Sequence, residues 1–359
     1  MRRLTQLCAV STTAAISLSC AHFAVTGKTA LKLATPAQRL DAIHRAHVWM
    51  RTDIPSMDLR AGPRGPGAFA PEELVACTYV DRPQEGHSPK FYCSLGEHDE
   101  IKVKYGADNG EVYGEVAATR LLWALGFGAD RMYPVRIQCT GCPPGFRGPR
   151  APGNTTALVE PTAVERKMAG HAIEDRPHSG WAWPELDLVD EKAGGAPRAE
   201  RDALRLIASV VQHTDTKPDQ QRLMCLPDSG GGTKAEECSA PFMMINDLGL
   251  TFGHANLFNR AGPGAVNFRE WSATPVWAND SGRCVANLDK SWTGTLDHPV
   301  ISEAGRSFLA GLITQLSDAQ LHDLFDVSRF ERRSHHSADE WVGAFKRKRD
   351  QIVQRTCPQ

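Results

Sequence analysis

The stretch His213-Thr214-Asp215-Thr216-Lys217-Pro218-Asp219-Gln220 decides how the rest of this chain is read. A helical pattern leads into it: Pro197 opens a run through Val211 in which Leu204, Ile207, Val210 and Val211 share one face. Two short strand-like runs follow, Arg222 to Leu226 and Phe242 to Asn246, with a Gly-, Ser- and Lys-rich loop between them. Taken alone, the stretch is a polar turn after a buried helix. Its meaning comes from what lies at the other foot of the hairpin.

The second run ends in Ile245-Asn246-Asp247-Leu248-Gly249, so Asp215 and Asp247 are expected at the feet of one hairpin. Two carboxylates brought together repel each other unless a cation lies between them. Hard oxygen donors suit magnesium or manganese there. Further back, Ile101, Val103 and Tyr105 alternate with Lys102 and Lys104, which predicts a strand over Glu100 to Tyr105. A turn at Gly106 to Gly110 leads to a helix from Val112 to Leu125, with Ala118, Leu121, Leu122 and Leu125 on one face and Gly126 as its stop. Glu115 precedes Ala118 by three and Leu122 by seven, so it shares that apolar face. An unpaired carboxylate there is costly. Lys104, at the end of the strand, is the expected partner, with Lys102 as the second choice.

These pieces, in this order, resemble the atypical kinases: the HipA toxin kinases, the secretory-pathway casein kinases and the phosphatidylinositol 3/4-kinase branch. The loop at 213–220 is similar to the kinase form H-R-D-x-K-P-x-N, and Asp247-Leu248-Gly249 stands at the D-F-G position. Glu115 to Gly126 (EVAATRLLWALG) with Tyr133-Pro134-Val135 resembles the glutamate-bearing helix and following strand of HipA-type proteins. The resemblance implies an α+β, two-lobed kinase-like fold: a small mixed sheet with one helix, then a mainly helical lobe. It implies Asp215 and Lys217 as catalytic residues and Lys104, Lys102 and Glu115 as the nucleotide-phosphate group. Asp247 and Gln220 would hold magnesium or manganese, and ATP or another nucleotide would be the donor.

The resemblance spans about residues 90–255 and departs from the pattern in three places. Gln220 stands where asparagine is expected. No glycine-rich phosphate loop is legible before Glu100, although Ser94-Leu95-Gly96 can make a tight turn. The Arg222 to Asn246 hairpin carries a long insertion.

Elsewhere, residues 36–52 read as a short amphipathic helix and Ala61 to Pro71 as a Gly/Pro-rich spacer. Strands are expected at Leu74 to Val80, Lys90 to Ser94, Met132 to Cys139 and Thr155 to Glu160, and Gly170 to Gly195 reads as irregular. The tail reads as helical, with capping boxes starting at Ser317 and Ser337. The expected organisation is an export signal over 1–24, a helical extension over 25–62, one lobe over 63–165 and a second over 166–359.

Met1-Arg2-Arg3 followed by a small, apolar stretch to Ala24 has the form of an export signal. Ser17-Leu18-Ser19-Cys20 loosely matches a lipoprotein box, which makes Cys20 a candidate lipid anchor and points to the periplasm or cell envelope. Beyond Cys8 and Cys20, eight cysteines remain. An even set in an exported chain is expected to pair. The expected bridges are Cys77 to Cys93, Cys139 to Cys142, Cys225 to Cys238 and Cys284 to Cys357, with zinc at Cys139 and Cys142 as the rival.

Lysine plus arginine number 41 against 42 for aspartate plus glutamate, so nothing draws the chain to nucleic acid or an anionic membrane. No later apolar run is long enough to span a bilayer. Two functions stay open: a phosphotransferase acting on an unknown hydroxyl of a protein, sugar or lipid headgroup, or an inactive, disulfide-stabilised binding module.

Overall fold

The computed structural model describes residues 33–358, apart from 85, 154, 176–178, 228–236, 254–264 and 280–281. The expected export signal over 1–24, Cys20 and the first part of the 25–62 extension lie outside the described residues.

The first described helix, α1 (Pro36–His44), starts at a capping box between Thr35 and Gln38. It stops short of the expected residue 52. The chain turns extended instead, His47 bridges to Phe242, and the Trp49 indole donates to the Leu125 carbonyl at 2.7 Å. Tertiary partners claim this backbone before a longer helix can.

Five strands then form around one apolar interior: β1 (Leu74–Val80), β2 (Lys90–Gly96), β3 (Asp99–Tyr105), β4 (Arg131–Thr140) and β5 (Thr156–Arg166). Their order is β1-β2-β3-β5-β4, and a parallel β1–β4 pair closes the ring into a barrel. The sequence predicts a small mixed sheet here, and the β1–β4 pairing that closes it is a feature of the structure. Alternation decides which side chains fill the barrel: Ile101 and Val103 of β3 pack inside with Phe91, Tyr133, Val135 and Ile137. Lys102 and Lys104 therefore face outward, toward α2 (Glu111–Leu125). This helix is buried on nearly all sides, so its charged residues Glu111, Glu115 and Arg120 are enclosed with it. Gly126 ends it at φ +86°, where an added Cβ would run into the Met50 carbonyl.

After β6 (His171–Ala172) and two short 3-10 turns comes α3 (Arg198–Val210), then β7 (Gln221–Cys225) and β8 (Pro241–Ile245). The order in this second sheet is β6-β7-β8. The expected hairpin is thus present, and the expected irregular segment holds only short elements.

The remainder is helical: α4 (Phe268–Ala273), α5 (Glu303–Ile313), α6 (Asp318–Val327), α7 (Phe330–Ser334) and α8 (Ala338–Gln354). Both expected capping boxes form, at Ser317 with Gln320 and at Ser337 with Glu340. Trp271, Phe325, Phe330 and Trp341 gather round Phe252, with ring centroids 5.1 to 6.1 Å away. The fold is mixed α and β. All four expected disulfides are formed, Cys77–Cys93, Cys139–Cys142, Cys225–Cys238 and Cys284–Cys357. No helix among the described residues is long and apolar enough to cross a membrane.

Candidate functional site

Three elements meet at Lys104. β3 brings the lysine, α2 brings Glu115 from its buried face, and the chain leaving β8 brings Asp247. The ammonium lies 2.6 Å from Glu115 and 3.5 Å from Asp247, and Lys104 is 1% exposed. Lys102 shares the outward face of β3 but is held by Glu165 on β5, directly across the ladder. Of the two candidate lysines, Lys104 is therefore the one in contact with Glu115.

A residue the sequence reading passed over completes the cluster. Glu111 lies one helical turn before Glu115, its carboxylate accepts from Lys104 at 2.7 Å, and Ser88 donates to its other oxygen. The spacing of four placed both glutamates on one helix face, so the signal was present. Gly249 packs against Glu111 so closely that an added Cβ would sit 2.8 Å from the Glu111 carboxyl carbon. The glycine of Asp247-Leu248-Gly249 is what lets the two segments approach.

The charges respond to one another. Burial pulls the Lys104 ammonium down, but Asp247, Glu111 and Glu115 together hold it well above its ordinary value. Burial pushes Glu115 up to about 8, against the pull of Lys104. Burial also acts against ionised Asp247, yet Lys104, Lys102 and the Gly249 amide, which donates to it at 2.9 Å, hold it well below the usual carboxylate range. An ion that stays charged in so dry a place is held by its partners.

The 213–220 loop runs alongside. The backbone amides of Asn246 and Asp247 both donate to the Gln220 carbonyl, at 2.8 and 3.2 Å. Thr214 donates to the Leu250 carbonyl and Phe252 to the Val211 carbonyl. Two irregular segments are thus knitted together with few free backbone groups, and Phe252 anchors the second of them in the aromatic core. Asp215 accepts from the Gln220 amide nitrogen at 2.7 Å and pairs with Lys217 at 3.2 Å. Both ring nitrogens of His213 are buried without a hydrogen-bond partner. Burial lowers this imidazole to about 4, although Asp215 and Asp247 pull it the other way.

For a metal, the donor atoms of Glu111, Glu115 and Asp247 lie within 4.8 Å of one another. Their hard oxygen donors fit magnesium or manganese. Asp215 is outside that set, and Gln220 turns its amide nitrogen to Asp215. The Ser94-Leu95-Gly96 turn forms, but at the end of β2 remote from the site: Ser94 pairs with Glu100, whereas Lys104 pairs with Lys90. The connection that does reach the site is 81–89, between β1 and β2, through Ser88.

No protein-family model matches the chain, and no curated protein matches it. Among solved structures, the chain is similar to a Helicobacter pylori proinflammatory kinase, CtkA, with a TM-score of 0.41 and 8% identity over 79% of this chain and 96% of that one. A likeness that distant leaves the chemistry to be judged on this chain's own residues.

Proposed function

We propose that this chain is a kinase-like phosphotransferase, two-lobed about the Lys104 cluster, that moves a phosphate from a nucleotide such as ATP to a hydroxyl acceptor. One observation carries the reading: a lysine, a glutamate and an aspartate from three separate elements converge in a buried ion cluster. Burying ions returns little net stability after desolvation. Displaced titration in a polar cluster is a mark of a functional site.

In this reading Glu115 orients Lys104, and Lys104, with Lys102 beside it, holds the donor phosphates. Asp247 is the proposed metal ligand among the acidic cluster, and Gln220, whose amide nitrogen donates to Asp215, would join it through its amide oxygen to hold magnesium or manganese, which would supply positive charge to the phosphates. Asp215 accepts a hydrogen bond from the acceptor hydroxyl and aims it. Lys217, already paired with Asp215, adds positive charge where the transferred group passes. Catalysis of this kind is mostly positioning and charge neutralisation. Export to the cell envelope is part of the proposal, and the four disulfides are compatible with it.

A second reading, an inactive binding module on the same shell, is favoured by the Gln220 amide turning to Asp215. The test is thermal unfolding with ATP plus magnesium or manganese, alongside Asp247→Ala. A ligand bound only by the folded state stabilises it by about 2.7 kcal/mol at a hundredfold excess over its dissociation constant. A metal-dependent rise in the midpoint that Asp247→Ala loses is the expected result; no rise with any nucleotide sinks the proposal. Asp215→Ala then separates the two readings, because it abolishes turnover in an enzyme and leaves a binding module untouched.

A further inference from the structure

We propose that Glu111 is a built-in competitor for the phosphate position on Lys104, so that a nucleotide binds by displacing it. This rests on the nucleotide-site reading above. An ammonium has three N–H donors. Lys104 donates one to Glu111 at 2.7 Å, and its ammonium is further crowded by ion-pair contacts with Glu115 at 2.6 Å and Asp247 at 3.5 Å. With the side chain buried, an incoming phosphate oxygen finds no donor until one carboxylate leaves.

Glu111 is the one that must leave, because among the described residues it alone takes a hydrogen bond from the Lys104 ammonium. Glu115 comes from the second turn of α2 and is wholly enclosed. Asp247 is fixed by the Gly249 amide and by its own backbone bond to Gln220. Glu111 is the first residue of α2, and the Gly110 before it contributes no side-chain cap. Gly249 packs against its carboxylate, which the Lys104 ammonium holds by one oxygen and the Ser88 hydroxyl of the β1–β2 connection by the other. Its negative charge also repels a polyphosphate approaching Lys104. Removing that charge weakens the hold on Lys104 and lifts the repulsion together.

The expected sign separates this role from its rivals. A residue that helps to bind nucleotide weakens affinity when neutralised, whereas a competitor strengthens it. Calorimetric titration of the full chain with ATP in EDTA, for wild type, Glu111→Gln and Ser88→Ala, tests the idea. A hydrogen bond to a charged group is worth about 1.5–3 kcal/mol, so Glu111→Gln is expected to bind metal-free ATP about tenfold or more tightly than wild type. Ser88→Ala, which only loosens the hold on Glu111, shifts affinity the same way by less. If wild type binds ATP and Glu111→Gln binds it no better, the competitor role falls and the nucleotide site stands. If none of the three binds ATP, in EDTA or in magnesium, both fall together. Should Glu111→Gln fail to fold, Ser88→Ala decides, and an unchanged affinity overturns the proposal.

Discussion

His213 has no exposed surface, no hydrogen bond to its ring and two acidic residues nearby. Folding keeps it neutral down to about pH 4, whereas in the unfolded chain it titrates near 6.5. At pH 7 the imidazole is neutral in both states and contributes nothing to the balance. As pH falls through 6.5 the unfolded chain takes up a proton that the folded chain refuses, so stability drops, by about 3 kcal/mol once pH 4 is passed. Denaturant unfolding of wild type and His213→Leu between pH 7 and pH 4 measures this. The wild type is expected to lose the extra stability and the variant to lack that component. Parallel losses in the two proteins would show that His213 does not titrate as described. Single residues were legible here where burial forced them to declare a partner. Glu115 on an apolar face demanded a cation, and Lys104 answered. Glu111 is legible only once the helix is known to start there: the sequence reading begins it at Val112, which leaves the glutamate four residues before Glu115 in the turn.

At the scale of elements, the site depends on how closely α2 approaches the segment after β8. Gly249 sets that distance. A methyl group there would meet the Glu111 side chain at 2.8 Å, and Glu111 is pinned between Lys104 and Ser88. Gly249→Ala is therefore expected to destabilise by about 1–3 kcal/mol, the usual cost of overpacking. Chemical denaturation checks this, and an unchanged midpoint would mean that the interface yields freely. The strands and helices around the site were readable from period alone, because a period of two and a period near four are written into which side chains are buried. What period could not supply was partnership. The pairing of β1 with β4 joins residues far apart in the chain. The switch of residues 46–52 from helix to extended chain is likewise decided by Phe242 and Leu125. Which turn lies near Lys104 likewise depends on register, and the Ser94-Leu95-Gly96 turn falls at the far end of its hairpin.

Across the whole molecule, the four disulfides join distant and near segments unequally. Cys284–Cys357 closes the longest span, 73 residues, against 3 to 16 for the others. On the chain-entropy account a loop of that length contributes about 4 kcal/mol by restricting the unfolded chain. The Cys284→Ser, Cys357→Ser double variant is expected to lose about that much in equilibrium unfolding, more than the corresponding pair at Cys139 and Cys142. Equal losses would contradict the ranking. The bridges were legible as a set because an even number of cysteines in a chain with an export-like start has few other uses.

The closed barrel carries a consequence for recognition. A strand at a free sheet edge offers bare N–H and C=O groups on which another polypeptide can add itself. The ring β1-β2-β3-β5-β4 has no such edge, and β8 already bridges to His47 and Ala129. A polypeptide gains no backbone zipper along the barrel or on the β8 side of the second sheet, and contact there falls to loops and side chains. Substitutions in such loops leave the hydrogen bonds that close the barrel untouched.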